Sequence, residues 1–431
     1  MGMLGYDPVM RYKRQAAYRK MDELRNKADS QFTEVTVGSK GEGLTSVYES
    51  DTDILLIPNN VLILDVNDEQ ASVPPTVKVL RMDYNACHPG HTLLKITGTG
   101  PNLEEWQSEA VMDLGNGQKC LANTVVTMMS VNINDTTTAN RSGPAVGFTL
   151  DQSPKDIVIS FRCKATSFIN RWKNRKRNVD WPPKQLIDMI SEMNANVVGT
   201  GFAGSEMKDI EWRICFNEQE VLLVRSLNDT QAKLYVILKL VMKNILKPKK
   251  KELTSYVMKN IVFWLAEHFP QFLFNEDSLC AWLFKALRLL RWSVDNEYLP
   301  YYMIPERNLL ASTLKEDQKL RVIRRITYVL NSGPACLLRC KKLTDGLVNI
   351  SPEKLDVLGK RRDTLEFLEL QTMTKAVEYQ TGETDINEDK AFREKLLYMK
   401  LMVTLPNFMV LAAQGGNIHA LNDQELKRIL S

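Results

Sequence analysis

Apolar residues in the second half of the chain recur every three or four positions. QAKLYVILKLVMKNIL, SYVMKNIVFWLAEHF and SLCAWLFKALRLLRWSV all carry this spacing, which predicts helices packed on one another. Earlier the period shortens to two, or the runs become short and wholly apolar. FTEVTVG, TDILLI, VLILDV, TLLKITGTG, NRSGPAVGFTL and KDIVISFRCK read as strands, with Pro58-Asn59-Asn60 as a hairpin turn between the second and third. The first thirty residues predict a charged helix, and GETDINEDK an exposed polar loop. The texture changes after EWRICFNEQEVLL. The expected organisation is a mixed α/β lobe over residues 1–225, a helical lobe over 226–345 and a helical extension over 346–431.

Composition changes this picture little. The 431 residues suffice for two or three cores, and 44% hydrophobic with 25% charged residues is ordinary for a globular chain. A net charge of +4 is mild, so any polyanion partner must be argued from local patches. The N-terminus is charged and lacks an apolar core, and Tyr6 stands where a myristoylation signal needs Ser or Thr. The most apolar late stretch, LMVTLPNFMVLAA, is 13 residues long, too short to span a bilayer, so no membrane association is expected. Seven cysteines suggest reduced thiols in a cytosolic or nuclear setting, and a cytoplasmic location is expected. Cys336 with Cys340, and Cys87 with His88 and His91, both fall short of a full zinc-ligand set.

The candidate chemistry lies in GSKGEGLTSVYESDTD. Gly38 lets backbone amides approach a phosphate, and the Ser39 hydroxyl can donate to one. Asp51 and Asp53 are spaced i and i+2 before the apolar run Ile54–Ile57, so on a strand both carboxylates face one side. Asp156 opens KDIVISFRCK as the best third acid. A Gly-Ser turn, an Asp-x-Asp pair and a later strand acid form the layout of a polymerase-β-type nucleotidyltransferase. Three carboxylates suit two Mg²⁺ (or Mn²⁺) ions, one activating an attacking hydroxyl and one neutralising a triphosphate. By itself an Asp-x-Asp pair is more often a loop or surface pair.

Five stretches, in order, resemble the cyclic GMP–AMP synthase and cGAS-like receptor group within the Mab-twenty-one-like nucleotidyltransferases. They are GSKGEGL…SDTDILL, RSGPAVGF…KDIVISFRCK, DIEWRICFNEQE, SYVMKNIVFW and YYMIPERNLL, spread over most of residues 1–345. RWKNRKRNVDWPP resembles a Trp- and Arg-rich segment of invertebrate members. The resemblance implies an α+β fold: a nucleotidyltransferase lobe with a mixed sheet and long N-terminal helix, plus an all-helical C-terminal lobe. It implies that Ser39 contacts the triphosphate and that Asp51, Asp53 and Asp156 bind metal. Lys239 would reach the phosphates with help from Ser255 and Lys259, Tyr256 would stack on one nucleobase, and Arg213 would lie against the other. The plain alternatives are a core aromatic at Tyr256, a snorkelling Lys239 and a structural ion pair at Arg213. Two departures weaken purine assignment: Val158 and Cys215 stand where the DNA sensor has hydroxyl side chains.

The resemblance also bears on partners. The zinc insertion of the DNA sensor is missing from LVRSLNDTQAKLYVILK, which argues against double-stranded DNA as activator and leaves double-stranded RNA or an undefined ligand. A phosphate-tracking face would draw on Arg14 and Lys20 of the first helix, on Arg171, Lys173, Arg175, Lys176 and Arg177, and on Lys249 and Lys250. Solvated basic segments are the plain alternative. The expected function is a cytosolic innate-immune enzyme making a cyclic dinucleotide from ATP and/or GTP. An inactive nucleotidyltransferase-fold scaffold and a maker of linear oligonucleotides are its rivals.

Overall fold

The chain's N-terminal helix begins as its caps dictate. The Asp7 side chain accepts from the Val9 and Met10 amides at 2.9 and 3.1 Å, and Pro8 occupies the first helical position. The structure is a computed structural model. It describes all residues except 70–72, 99–100, 102–107, 116, 128, 130–139, 143, 151–152, 247–252, 312–313, 349 and 405–431. In chain order the described elements are α1 (Pro8–Ala28), β1 (Phe32–Val37), α2 (Gly38–Gly41), β2 (Thr52–Pro58), β3 (Val61–Leu64), β4 (Lys78–Asp83) and β5 (His91–Ile96). There follow β6 (Val111–Gly115), β7 (Gln118–Leu121), β8 (Asn140–Ser142), β9 (Ala145–Leu150), β10 (Ser153–Cys163), α3 (Thr166–Lys173) and α4 (Lys184–Ser191). Next come β11 (Ala195–Val198), β12 (Trp212–Cys215), α5 (Asn217–Arg225), α6 (Asp229–Val241), α7 (Ser255–His268) and α8 (Leu279–Asp295). The chain continues through α9 (Glu316–Ser332), α10 (Lys341–Leu347), α11 (Pro352–Gln380) and α12 (Ile386–Thr404).

Two compact units divide this chain by packing rather than by chain order. The first comprises Met1–Leu56, Gly147–Ile157 and Val348–Ser431. In it α1 lies on α11, which in turn packs on α12. The buried stripe of α1 (Met10, Arg14, Tyr18, Met21, Leu24) recurs every three or four residues. Tyr18, Met21 and Leu24 form a core with Val47 and with Leu370 and Val377 of α11. The C-terminal helices therefore pack with the N-terminal one, although over three hundred residues of chain separate them. Strands β1, β2 and residues 153–157 of β10 are neighbours in that order.

The second unit comprises Ile57–Val146 and Val158–Leu347. Residues 158–163 of β10 start a run β10-β11-β12-β5-β4-β3, and β3 returns to β10 in parallel, Leu62 opposite Arg162 and Ile63 opposite Cys163. All four residues of β11 are buried, as a strand covered on both faces requires. Phe161 and Trp212 sit fully buried with ring centroids 5.3 Å apart. Helices α6, α7 and α8 pack on one another, with Leu234, Ile261 and Leu287 wholly buried.

Three expectations are corrected here. The Pro58-Asn59-Asn60 turn closes no hairpin, because the partners of β3 are β4 and β10. GETDINEDK is a loop only as far as residue 385; its last residues form the first turn of α12, where the Asp385 side chain accepts from the Asn387 and Glu388 amides. Asp51 precedes β2 instead of lying in it.

Candidate functional site

Within the first unit, β1 runs straight into the short helix α2 through Gly38, whose φ is +61°. A Cβ at this position would lie 2.1 Å from Oδ2 of Asp53 and 2.9 Å from its Cγ. Only glycine brings the backbone this close to that carboxylate. The Gly38-Ser39 turn and Asp53, one of the three expected metal acids and fifteen positions further along the sequence, are thus in contact. Ser39 is half-buried in α2, and its carbonyl accepts from the Leu44 amide at 3.0 Å. Lys40 is wholly buried and donates to the carbonyls of Ser46 and, at 2.6 Å, Val47. Burial pushes its ammonium down to about 7.

Asp51 is exposed, while Asp53 and Asp156 are half-buried on the neighbouring strands β2 and β10. Among the described residues, no group of three or more His, Cys, Asp or Glu side chains is gathered closely enough to hold a metal ion. The structure thus joins Gly38 to Asp53 but does not draw the three acids into one cage. The donor set still fits Mg²⁺ by its chemistry: hard carboxylate oxygens, few in number, beside a turn suited to phosphate. Mg²⁺ is ordinarily held by one or two carboxylates with substrate phosphates and water completing its shell.

The second unit holds a half-open cavity of about 870 Å³. Arg213 and Cys215 of β12, Glu220 of α5, Tyr256 of α7 and Arg307 are among its lining residues. Its organising group is Glu220, which is 2% exposed. Its Oε1 accepts from the hydroxyls of Tyr256 and Tyr301, each at 2.7 Å, and its Oε2 pairs with Lys259 Nζ at 3.1 Å. A buried carboxylate persists only when its lone pairs are so satisfied. The Tyr256 and Tyr301 rings stand 5.7 Å apart, and the Arg307 guanidinium lies over Tyr301 at 5.2 Å. His88 and Phe202 also line the cavity, their ring centroids 3.9 Å apart and tilted by 32°. Burial, then the positive charges of Arg307 and Arg213, pushes the His91 imidazole down to about 4.

Arg213 and Tyr256 therefore come together on one cavity, as a site for an aromatic, acceptor-bearing ligand would require. Ser255 opens α7 beside it, with its neighbours Thr254 and Tyr256 in the lining. Lys259 supports Tyr256 through Glu220; its ammonium faces that carboxylate. Lys239, half-buried on α6, holds its Nζ 5.5 Å from the Tyr235 ring centroid. Sequence reasoning passed over Glu220, Tyr301 and Arg307. Glu220 lay inside DIEWRICFNEQE with nothing to mark it apart from the acids around it.

The expected nucleic-acid residues divide. Arg14 is 1% exposed and forms a bidentate pair with Glu366, so it is a core residue with no surface to offer a polyanion. Its position in the apolar stripe of α1 was the signal that could have found this. Arg175 and Arg177 are likewise structural. Arg175 donates to Glu267 at 2.7 Å and to the Tyr302 carbonyl, and lies over the Trp264 and Tyr302 rings. Arg177 pairs with the same Glu267 at 3.3 Å and donates to the Trp172 carbonyl. Lys20 and Lys176 are exposed. Arg171 reaches Glu306 at 3.4 Å and Lys173 reaches Asp188 at 3.3 Å, both in exposed pairs. Lys249 and Lys250 lie outside the described residues. All seven cysteines are free.

Among the described residues no helix is long and apolar enough to cross a membrane. Residues 231–328, from α6 through most of α9, match the family model of the Mab-21 protein HhH/H2TH-like domain.

Proposed function

We propose, from the premise that the chain belongs with the Mab-21/cGAS-like nucleotidyltransferases, that it joins ATP and/or GTP into a cyclic dinucleotide. The carrying observation is the seat of Gly38 on Asp53 in the first unit. It unites the two sequence features, phosphate turn and acid, that polymerase-β-type chemistry needs side by side. In this reading Asp51, Asp53 and Asp156 would hold Mg²⁺ or Mn²⁺, which supplies charge neutralisation at the triphosphate and an activated hydroxyl. The chain's own residues bind and orient. The Gly38 and Ser39 amides and the Ser39 hydroxyl hold phosphate oxygens.

In the second unit the cavity recognises a nucleobase. Tyr256, held by Glu220, presents a ring for stacking, and Arg213 and Arg307 present guanidinium donors to acceptor atoms on the base edge. The Glu220 carboxylate is already met by Lys259 and two tyrosine hydroxyls, and both arginines line the cavity beside it. With Cys215 lining the cavity, no hydroxyl at that position assists purine selection. Activation by double-stranded RNA or another ligand, in a cytosolic immune setting, completes the proposal.

The test is incubation of the purified chain with the four nucleoside triphosphates, Mg²⁺ or Mn²⁺, and duplex RNA or DNA, followed by product analysis. A cyclic dinucleotide that disappears in Asp53→Asn is the expected result. Linear products point instead to an oligonucleotide-making enzyme, and no product under any condition to a binding scaffold.

A further inference from the structure

We infer that the C-terminal helix α11 clamps the segment joining the phosphate turn to the metal acids, with Glu366 as a positioning residue for Asp51 and Asp53. The inference rests on the proposed nucleotidyltransferase reading. Glu366 is wholly buried. Its Oε1 accepts from the Val47 amide at 3.2 Å and from Arg14 Nε at 2.8 Å, and its Oε2 accepts from Arg14 Nη2 at 2.6 Å. The same guanidinium donates through Nη1 to the Gly43 carbonyl at 3.3 Å. One buried ion pair therefore grips the segment at both Gly43 and Val47.

A second tie lies one helical turn further along α11. The Tyr48 hydroxyl donates to Glu369 Oε1 at 2.6 Å, and Lys400 of α12 pairs with the other oxygen of Glu369. Between the ties, the Val47 side chain enters the core shared by α1 and α11. Lys40 draws in the Ser46 and Val47 carbonyls from the other side. Had α11 only to cover α1, apolar side chains would serve better, because burying two charges carries a desolvation cost that packing avoids. Here the charges meet backbone groups of a segment that lies between α2 and β2 and belongs to neither. Val47 precedes Asp51 by four residues, so the chain between them reaches at most about 14 Å and a shift at Val47 is passed on to the acids.

The test uses the full chain and two variants. Arg14→Met with Glu366→Leu replaces the pair by apolar groups of similar volume, a change that cores commonly accept. Tyr48→Phe removes one hydroxyl and leaves the ion pair alone. Hydrogen exchange over residues 43–50 and cyclic-dinucleotide formation are measured for each. In the double variant, exchange should quicken at least tenfold and turnover fall at least tenfold, with the melting temperature kept within a few degrees. Tyr48→Phe should move both readouts about threefold, and it decides the matter if the double variant does not fold. Unchanged exchange in a folded variant overturns the clamp. Faster exchange with unchanged turnover overturns the positioning role. A wild-type chain that forms no product sinks the enzymatic reading alone, and the hold on residues 43–50 is then judged by exchange.

Discussion

His91 shows how one side chain records its surroundings. It is 5% exposed, and burial with the nearby guanidinium charges holds its imidazole at about 4, against an ordinary value near 6.5. Between those values the unfolded chain binds a proton that the folded chain refuses. Stability is therefore complete above pH 6.5 and is lost as pH falls towards 4, with about 2 kcal/mol of the loss expected by pH 5. In His91→Gln the difference in urea-derived stability between pH 7 and pH 5 should shrink by that amount. An identical difference in variant and wild type would show that the imidazole is not held neutral. At the same scale, Gly38 and Arg14 illustrate opposite legibility. Glycine beside serine announces close approach to something, and the something proved to include Asp53. An arginine in a basic stretch announces solvent, yet Arg14 is core, because a carboxylate more than three hundred residues away neutralises it.

At the scale of elements, Glu220 ties α5 to α7 and to the loop bearing Tyr301. Glu220→Ala leaves the Lys259 charge buried and two tyrosine hydroxyls without their acceptor. The expected cost is about 3–5 kcal/mol, read as a lower denaturation midpoint. A loss below 1 kcal/mol would mean that water replaces the carboxylate and that the cavity wall is softer than its hydrogen bonds suggest. Helices α6, α7 and α8 were legible because a packed helix must repeat its apolar positions every three or four residues. The strands were legible for the matching reason at period two. Pairing was not. TDILLI and VLILDV flank a good turn, but β3 pairs in parallel with β4 and β10, and no local signal encodes that choice.

For the molecule as a whole, a net charge of +4 supplies no general attraction for nucleic acid. With Arg14, Arg175 and Arg177 committed to buried or half-buried carboxylates, Lys20, Arg171, Lys173 and Lys176 remain exposed or partly so. In the second unit, Arg171→Glu with Lys176→Glu should weaken duplex RNA binding at least tenfold at low salt. The same change should flatten the salt dependence of the affinity by roughly one unit of slope per lost phosphate contact. Affinity and slope both equal to wild type would remove this surface from the proposal.

By itself, the sequence determined the main helical runs and several of the strands, that one turn needs glycine and that acids follow it at a fixed spacing. These are local properties, set by backbone sterics and by the periodicity of apolar side chains. Only the tertiary structure decided which charges face water and which face each other, that α11 returns to α1, and that Glu220 organises a cavity around Tyr256 and Arg213. Burial and ion pairing depend on partners distant in the chain, and no short stretch of residues carries that information.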